Sequence, residues 1–157
     1  MAEPTLTPYQ LIKLQMEYAV PLIRDLQAIL GEDTVNKALE QRLHNRIEKA
    51  KGKARTDIPA AQRAAAATKD FARFADGDVL DYETIATDRD VDIAVNVNSC
   101  GYTRFMQDMD ATDLGHLLIC SEDHVIGGYA GMELTRTQTR MQGAQFCDFR
   151  YKVLEDS

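Results

Sequence analysis

The sequence predicts an α+β fold: N-terminal helices followed by a four-stranded antiparallel sheet, built from two hairpins with short helices inserted between them. Three observations predict it. Apolar residues recur at helical spacing up to about residue 76. From Val91 to Val97 the apolar period drops to two. Helices and strands are grouped rather than alternating, which argues against a doubly wound parallel sheet. A chain of 157 residues fits one domain with one core over 1–157, its helical part at about 7–76 and its sheet part at about 79–153.

Thr7 and Pro8 open the first helix, Thr as N-cap and Pro at the first helical position. Leu11, Leu14, Tyr18, Leu22, Leu26 and Ile29 form an apolar stripe. Ile12, Met16, Ala19, Ile23 and Leu30 widen it, so burial on more than one side is expected. Pro21 is expected to kink or split the helix, and Gly31 to end it. A second helix follows Asp33 or Thr34, with Val35, Ala38, Leu39, Leu43 and Ile47 as its apolar side. The basic run from Lys49 to Arg55 reads as a solvated helix end, favoured by the dipole. The third helix is capped at Thr56 or Asp57, has Pro59 near its start, is rich in alanine and is anchored by Phe71 and Phe74. Asp76-Gly77-Asp78 stops it.

Val79 to Ala86 and Val91 to Asn98 make the first hairpin, turning at Asp88-Arg-Asp90. Helical spacing returns in Tyr102, Phe105, Met106 and Met109. A short helix capped by Asp110 or Thr112 runs to about His116, and Ser121-Glu-Asp-His124 opens another helical turn. The last strands are about Met132 to Met141 and Phe146 to Val153, turning at Gln142-Gly-Ala-Gln145.

The net charge of -7 argues against nucleic acid or an anionic membrane as partner, since phosphate binding needs surplus Lys and Arg. No apolar run approaches the ~20 residues of a bilayer span. Met1-Ala-Glu-Pro carries no basic-then-apolar leader, so a cytoplasmic protein is expected. The three cysteines, an odd number without a CxxC pair, fit reduced thiols. Their spacings are too wide for the close ligand pairs of a zinc site, and no P-loop, GxGxxG or HExxH is present. No metal and no cofactor are therefore expected. The wide apolar stripe of the first helix points to a homo-oligomer.

Candidate chemistry gathers in the last third. Arg136-Thr-Gln-Thr139 and Cys147-Asp-Phe-Arg150-Tyr place two arginines, an aspartate and a thiol where a plain surface hairpin carries Lys, Glu and Thr. Two guanidinium groups beside a thiol suit a small anion. In the fourth strand Asp148 and Arg150 alternate with Cys147, Phe149 and Tyr151, and in the second Asn96 and Asn98 share a face with Cys100. Such a polar face is either the solvated side of the sheet or the wall of a pocket beneath the helices. A free cysteine is ordinarily a small buried hydrophobe. A nucleophilic thiolate needs a cationic or dipolar neighbour. Arg136 or Arg150 supplies one for some thiol, and the helix after Cys100 supplies one there. Asp123, close after Cys120, suits a general base or an anchor for a substrate amine. Its alternative is an acidic first helical turn.

Asn98-Ser-Cys100-Gly-Tyr102, Leu114-Gly115, Cys120-Ser-Glu-Asp123, Arg136-Thr-Gln-Thr139, Gly143 and Cys147-Asp-Phe-Arg150-Tyr together resemble the L-2-amino-thiazoline-4-carboxylic acid hydrolase family. The N-terminal helices are similar in style, including the Arg46 to Arg55 segment. The resemblance implies hydrolytic opening of a cyclic isothiourea that carries a carboxylate. That chemistry needs water or a thiolate at the carbon between sulfur and two nitrogens, a carboxylate to take a proton or hold the amidinium, and a cation for the substrate carboxylate. The expected site has Cys100, Asp123 and Cys147 as catalytic residues, with Asn98, Tyr102, Arg136, Asp148 and Arg150 binding a small-molecule substrate. The alternative is a non-catalytic small-molecule binding or sensor domain using the same pocket.

Overall fold

Thr7 caps the first helix as its sequence requires. In the computed structural model, which describes residues 5–156, its hydroxyl accepts from the Gln10 N–H at 3.2 Å. The Gln10 side chain in turn accepts from the Thr7 N–H at 2.9 Å, completing a capping box. Met1 to Pro4, on which the expectation of no leader rests, lie outside the described residues. Helix α1 (Pro8–Leu30) runs on through Pro21 instead of splitting there. Pro21 and Glu17 both lie on the exposed side, so the carbonyl that Pro21 leaves without an N–H faces water. Gly31, at φ 91°, ends α1 and leads directly into α2 (Glu32–Lys51). Helix α3 (Ala60–Phe74) follows Pro59, and Gly77, at φ 71°, turns the chain toward the sheet.

Strands β1 (Leu80–Thr84), β2 (Ile93–Cys100), β3 (Met132–Thr135) and β4 (Cys147–Val153) form one antiparallel sheet in the order β1-β2-β4-β3. Between β2 and β3 come α4 (Gly101–Asp108), α5 (Thr112–Gly115), a π-helical turn (His116–Cys120) and α6 (Glu122–Tyr129). The expected α+β architecture is thus the observed one. Two details differ. Strand β3 stops at Thr135 rather than Met141, and residues 136–146 are a long connection that includes a 3₁₀ turn at Arg140–Gln142. Asp148 organises that connection, accepting from the N–H groups of Thr137 and Gln138 at 2.9 Å each and from the Thr137 hydroxyl at 2.6 Å. These bonds replace the ladder bonds a longer strand would have made.

The second difference is a β-bulge. Asp81 pairs with Ser99 and Tyr82 with Val97, which leaves Asn98 as the extra residue of β2. The inserted residue reverses the alternation beyond it, and so Cys100 comes to the same side of the sheet as Val97.

Helix α3 packs on β4 and α6 on β3. Phe71 of α3 meets Phe149 and Tyr82 edge-on, at 5.4 and 4.8 Å between ring centres. Two apolar clusters result. One joins α1, α2 and α4, with Met16, Val20, Val35, Phe105, Met106 and Leu114 at its centre. The other lies on the sheet, with Val95, Val97, Leu134, Cys147 and Phe149.

Candidate active site

A cavity of about 630 Å³ lies between these clusters, within the size range of small-ligand sites. Helix α1 lines it with Ile12, Gln15, Met16 and Ala19, and α2 with Leu39, Arg42 and Arg46. Val97, Cys100, Cys147 and Phe149 form the sheet wall, and the π-helical turn and α6 close it with Leu118, Ile119, Cys120, Glu122 and Asp123. The π turn is defined by the Ser121 N–H donating five residues back to the His116 carbonyl, at 3.0 Å. Turns of this kind often sit at functional sites, and this one carries Cys120 to the cavity wall.

All three cysteines therefore face one hollow, and all three are free thiols. Burial pushes the Cys120 thiol well up, with the Asp123 carboxylate adding to the effect. Burial pushes Cys147 up as well, although its sulfur accepts from the Arg140 N–H at 3.1 Å. Cys100 stands at the N-cap of α4, and its side chain makes no capping hydrogen bond.

Arg136 is 4% exposed at its side chain and is held from three directions. Its Nη1 donates to Asp123 Oδ2 at 2.6 Å and its Nη2 to the Cys120 carbonyl at 2.7 Å, while the guanidinium lies 4.9 Å from the centre of the Phe149 ring. The Asp123 side chain is 31% exposed, and since it lines the cavity that exposure opens onto the hollow. Burial raises its carboxyl above the ordinary range against the opposing pull of Arg136. On the α4 side, the hydroxyls of Tyr102 and Thr103 are buried without a hydrogen-bond partner, and both residues line the cavity. Unpaired buried hydroxyls are costly and uncommon, and both oxygens are shut off from solvent.

Of the residues expected from sequence, Cys100, Tyr102, Asp123, Arg136 and Cys147 meet at the cavity. Asn98, Asp148 and Arg150 do not line it. Arg150 points to the other face of the sheet and donates to Asn96 Oδ1 at 2.9 Å and to the Val95 carbonyl at 3.1 Å. Asn98, exposed at the bulge, donates to Glu83. Asp148 holds the 136–146 connection and with it the place of Arg136. For Asp148 and Arg150 the cause is the strict alternation of β4, whose helix-facing side carries Cys147 and Phe149 and whose other side carries Asp148 and Arg150. For Asn98 it is the bulge, where it is the extra residue of β2.

Sequence reasoning missed Arg42 and the Arg46–Glu122 ion pair, all three at the cavity. The available signal was the i, i+4 spacing of Arg42 and Arg46, which puts both cations on one helix side. Among the described residues no group of three or more His, Cys, Asp or Glu is placed to hold a metal ion. No helix of the described residues is long and apolar enough to cross a membrane.

Fold and site thus define an α+β protein with a cavity walled by thiols, a carboxyl and a guanidinium. The family model of L-2-amino-thiazoline-4-carboxylic acid hydrolase matches residues 12–151, and the chain belongs to that family. The match takes in every element on which the resemblance rested. No curated protein and no solved structure matches the chain.

Proposed function

We propose that this protein is a hydrolase that opens a small carboxylate-bearing ring of the cyclic isothiourea type by adding water at the carbon between sulfur and nitrogen. The convergence of Cys100, Cys120, Cys147, Asp123 and Arg136 on one cavity carries the proposal, and membership of a family described by that activity supports it. Asp123 takes a proton from water as the water oxygen bonds to the ring carbon, and the C=N electron pair moves to nitrogen, which takes up a proton. The adduct's hydroxyl gives its proton to solvent as the C=O forms, replacing the one the nitrogen took from solvent. The ring bond to sulfur or nitrogen breaks and the leaving atom takes back the proton held by Asp123. In the covalent variant the Cys100 thiol adds first, its proton passing to the ring nitrogen with the C=N pair, the ring bond breaks, and water then adds and displaces Sγ, which leaves as the thiol.

Arg136 fixes the carboxylate of Asp123 and is largely occupied by it. The substrate carboxylate is assigned instead to Arg42, an exposed cavity residue that has no ion-pair partner among the described residues. Turnover of 2-amino-thiazoline-4-carboxylate by Cys100→Ser, Cys147→Ser and Asp123→Asn, read by mass spectrometry, tests the assignment. Full activity in all three variants ends it.

The burial that keeps Cys120 and Cys147 protonated favours a second reading, a binding or sensor domain without catalysis. Thermal stabilisation by the same compound with no product formed decides for it. Ligand at about 100 times its Kd adds about 2.7 kcal/mol, enough to see in a melt.

A further inference from the structure

The inner side of α1 lines the cavity, whereas its outer side carries a row of exposed large apolar side chains. Leu11, Leu14, Tyr18, Leu22, Leu26 and Ile29 run along that outer side, with Tyr18 76% and Ile29 77% exposed and the others between 38% and 52%. Six large apolar side chains in one row expose on the order of 700 Å², beyond the few hundred Å² of an ordinary monomer patch. It is close to the ~800 Å² that each partner contributes to a standard interface.

The spacing within the row identifies the occupant. Successive steps are 3, 4, 4, 4 and 3 residues. They average the 3.6-residue helical repeat, so the row runs straight along the helix. The order of steps also reads the same in both directions. A two-fold axis crossing the helix at the level of Val20 therefore sets Leu11 opposite the second copy's Ile29, Leu14 opposite its Leu26 and Tyr18 opposite its Leu22. A self-complementary patch of this kind is what an isologous contact requires. Antiparallel helices also set opposite dipole ends side by side, whereas a parallel pair sets like ends together.

We propose that α1 forms the interface of a two-fold symmetric homodimer in which the α1 helices of two copies pack antiparallel. The dimer seals the outer row and stiffens the helix whose inner side, through Ile12 and Met16, walls the cavity.

Light scattering from 1 to 100 µM, concentrations chosen to span about micromolar affinity, tests the proposal on the full chain. The expected particle is twice the 17.6 kDa chain mass. Tyr18→Glu/Leu22→Glu, at exposed positions, is expected to raise Kd by about 100-fold, while the α3 surface variant Lys69→Glu stays dimeric. Under mild oxidation Leu14→Cys/Leu26→Cys should cross-link covalently into dimers, and Leu14→Cys alone should not, with the wild-type chain as control. The cross-linking holds as a test even if the charged variant misfolds. A monomer throughout the range, a dimer indifferent to the two glutamates, or equal cross-linking by Leu14→Cys alone overturns the proposal.

Discussion

Arg136 and Asp123 form an ion pair at the cavity wall, Nη1 donating to Oδ2 at 2.6 Å from a guanidinium that is almost wholly out of solvent. A charge so placed is tolerated because its partner is present, and removing one member leaves the other uncompensated. Arg136→Met should therefore cost about 3–5 kcal/mol, a loss readable in urea unfolding. It should abolish turnover as well, because the carboxylate of Asp123 loses its anchor. Arg136→Met combined with Asp123→Leu should recover much of the stability and none of the activity. A double variant as unstable as the single one would show that Arg136 acts through packing rather than charge.

The pH dependence follows from the direction of the Asp123 shift. Burial raises this carboxyl above its ordinary value of 3.8 while Arg136 pulls the other way. As the base of the reaction it works only when ionised, so the acidic limb of kcat/KM should lie above 3.8. That limb should move higher in Arg136→Lys if the looser ammonium holds the carboxylate less well, and Asp123→Asn should lose turnover at every pH. The same raised value makes the protonated form the one the fold prefers. The contribution of Asp123 to stability is fully present below 3.8 and is lost as pH rises through the folded-state value. Wild type should accordingly lose stability relative to Asp123→Asn across that window, as measured by denaturant titration at a series of pH values.

What the sequence discloses, and what it withholds, divides along physical lines. The helices were legible because Thr7, Gly31 and Gly77 are punctuation with a mechanism. The sheet was legible from the alternation in β2. Cys147 was legible too, since β4 has no irregularity, and the same alternation already separated it from Asp148 and Arg150. Grouping all of them into one pocket overrode that pattern. Cys100 was harder, because its side of the sheet depends on the bulge at Asn98, an insertion that no residue type announces. Cys120 depends on a π-helical turn, where one extra residue per turn shifts every later side chain. Arg42 lay in the polar side of an amphipathic helix, indistinguishable from a solvated residue until the sheet was placed beneath it.

Asp148 is predicted to act on the site at one remove. Burial alone would raise its carboxyl, but the hydrogen bonds from Thr137 and Gln138 outweigh burial and hold it below the ordinary range. Its stabilisation of the 136–146 connection is present above 3.8 and is lost as pH falls through the lower folded-state value. Asp148→Ala frees that connection, should cost about 2 kcal/mol, and should lower turnover by displacing Arg136. Asp148→Asn keeps an acceptor for the two N–H groups and should retain most of both. Equal activity in wild type and Asp148→Ala would separate the connection from the site.

Arg63 offers a test of the fold away from the cavity. Its side chain, 2% exposed, gathers the ends of three segments: it donates to the carbonyls of Ile58 at 2.8 Å, Gly131 at 2.5 Å and Leu154 at 2.6 Å, and to Asp156 Oδ1 at 2.9 Å. Arg63→Met fills part of the space but takes this donor from the carbonyls of Ile58 and Leu154 and leaves that of Gly131 with the Leu154 N–H alone, so a loss of about 3 kcal/mol is expected. For a chain of this size that lowers Tm by about 6–12 °C. Gly131→Ala should act on the same point from the other side. Its φ of +68° disfavours a side chain, and an added Cβ would meet Arg63 Nη1 at 2.6 Å. The two losses should be less than additive when combined, because both break one contact. Additive losses in the double variant would show that Gly131 is constrained by its backbone alone and not by the arginine packed against it.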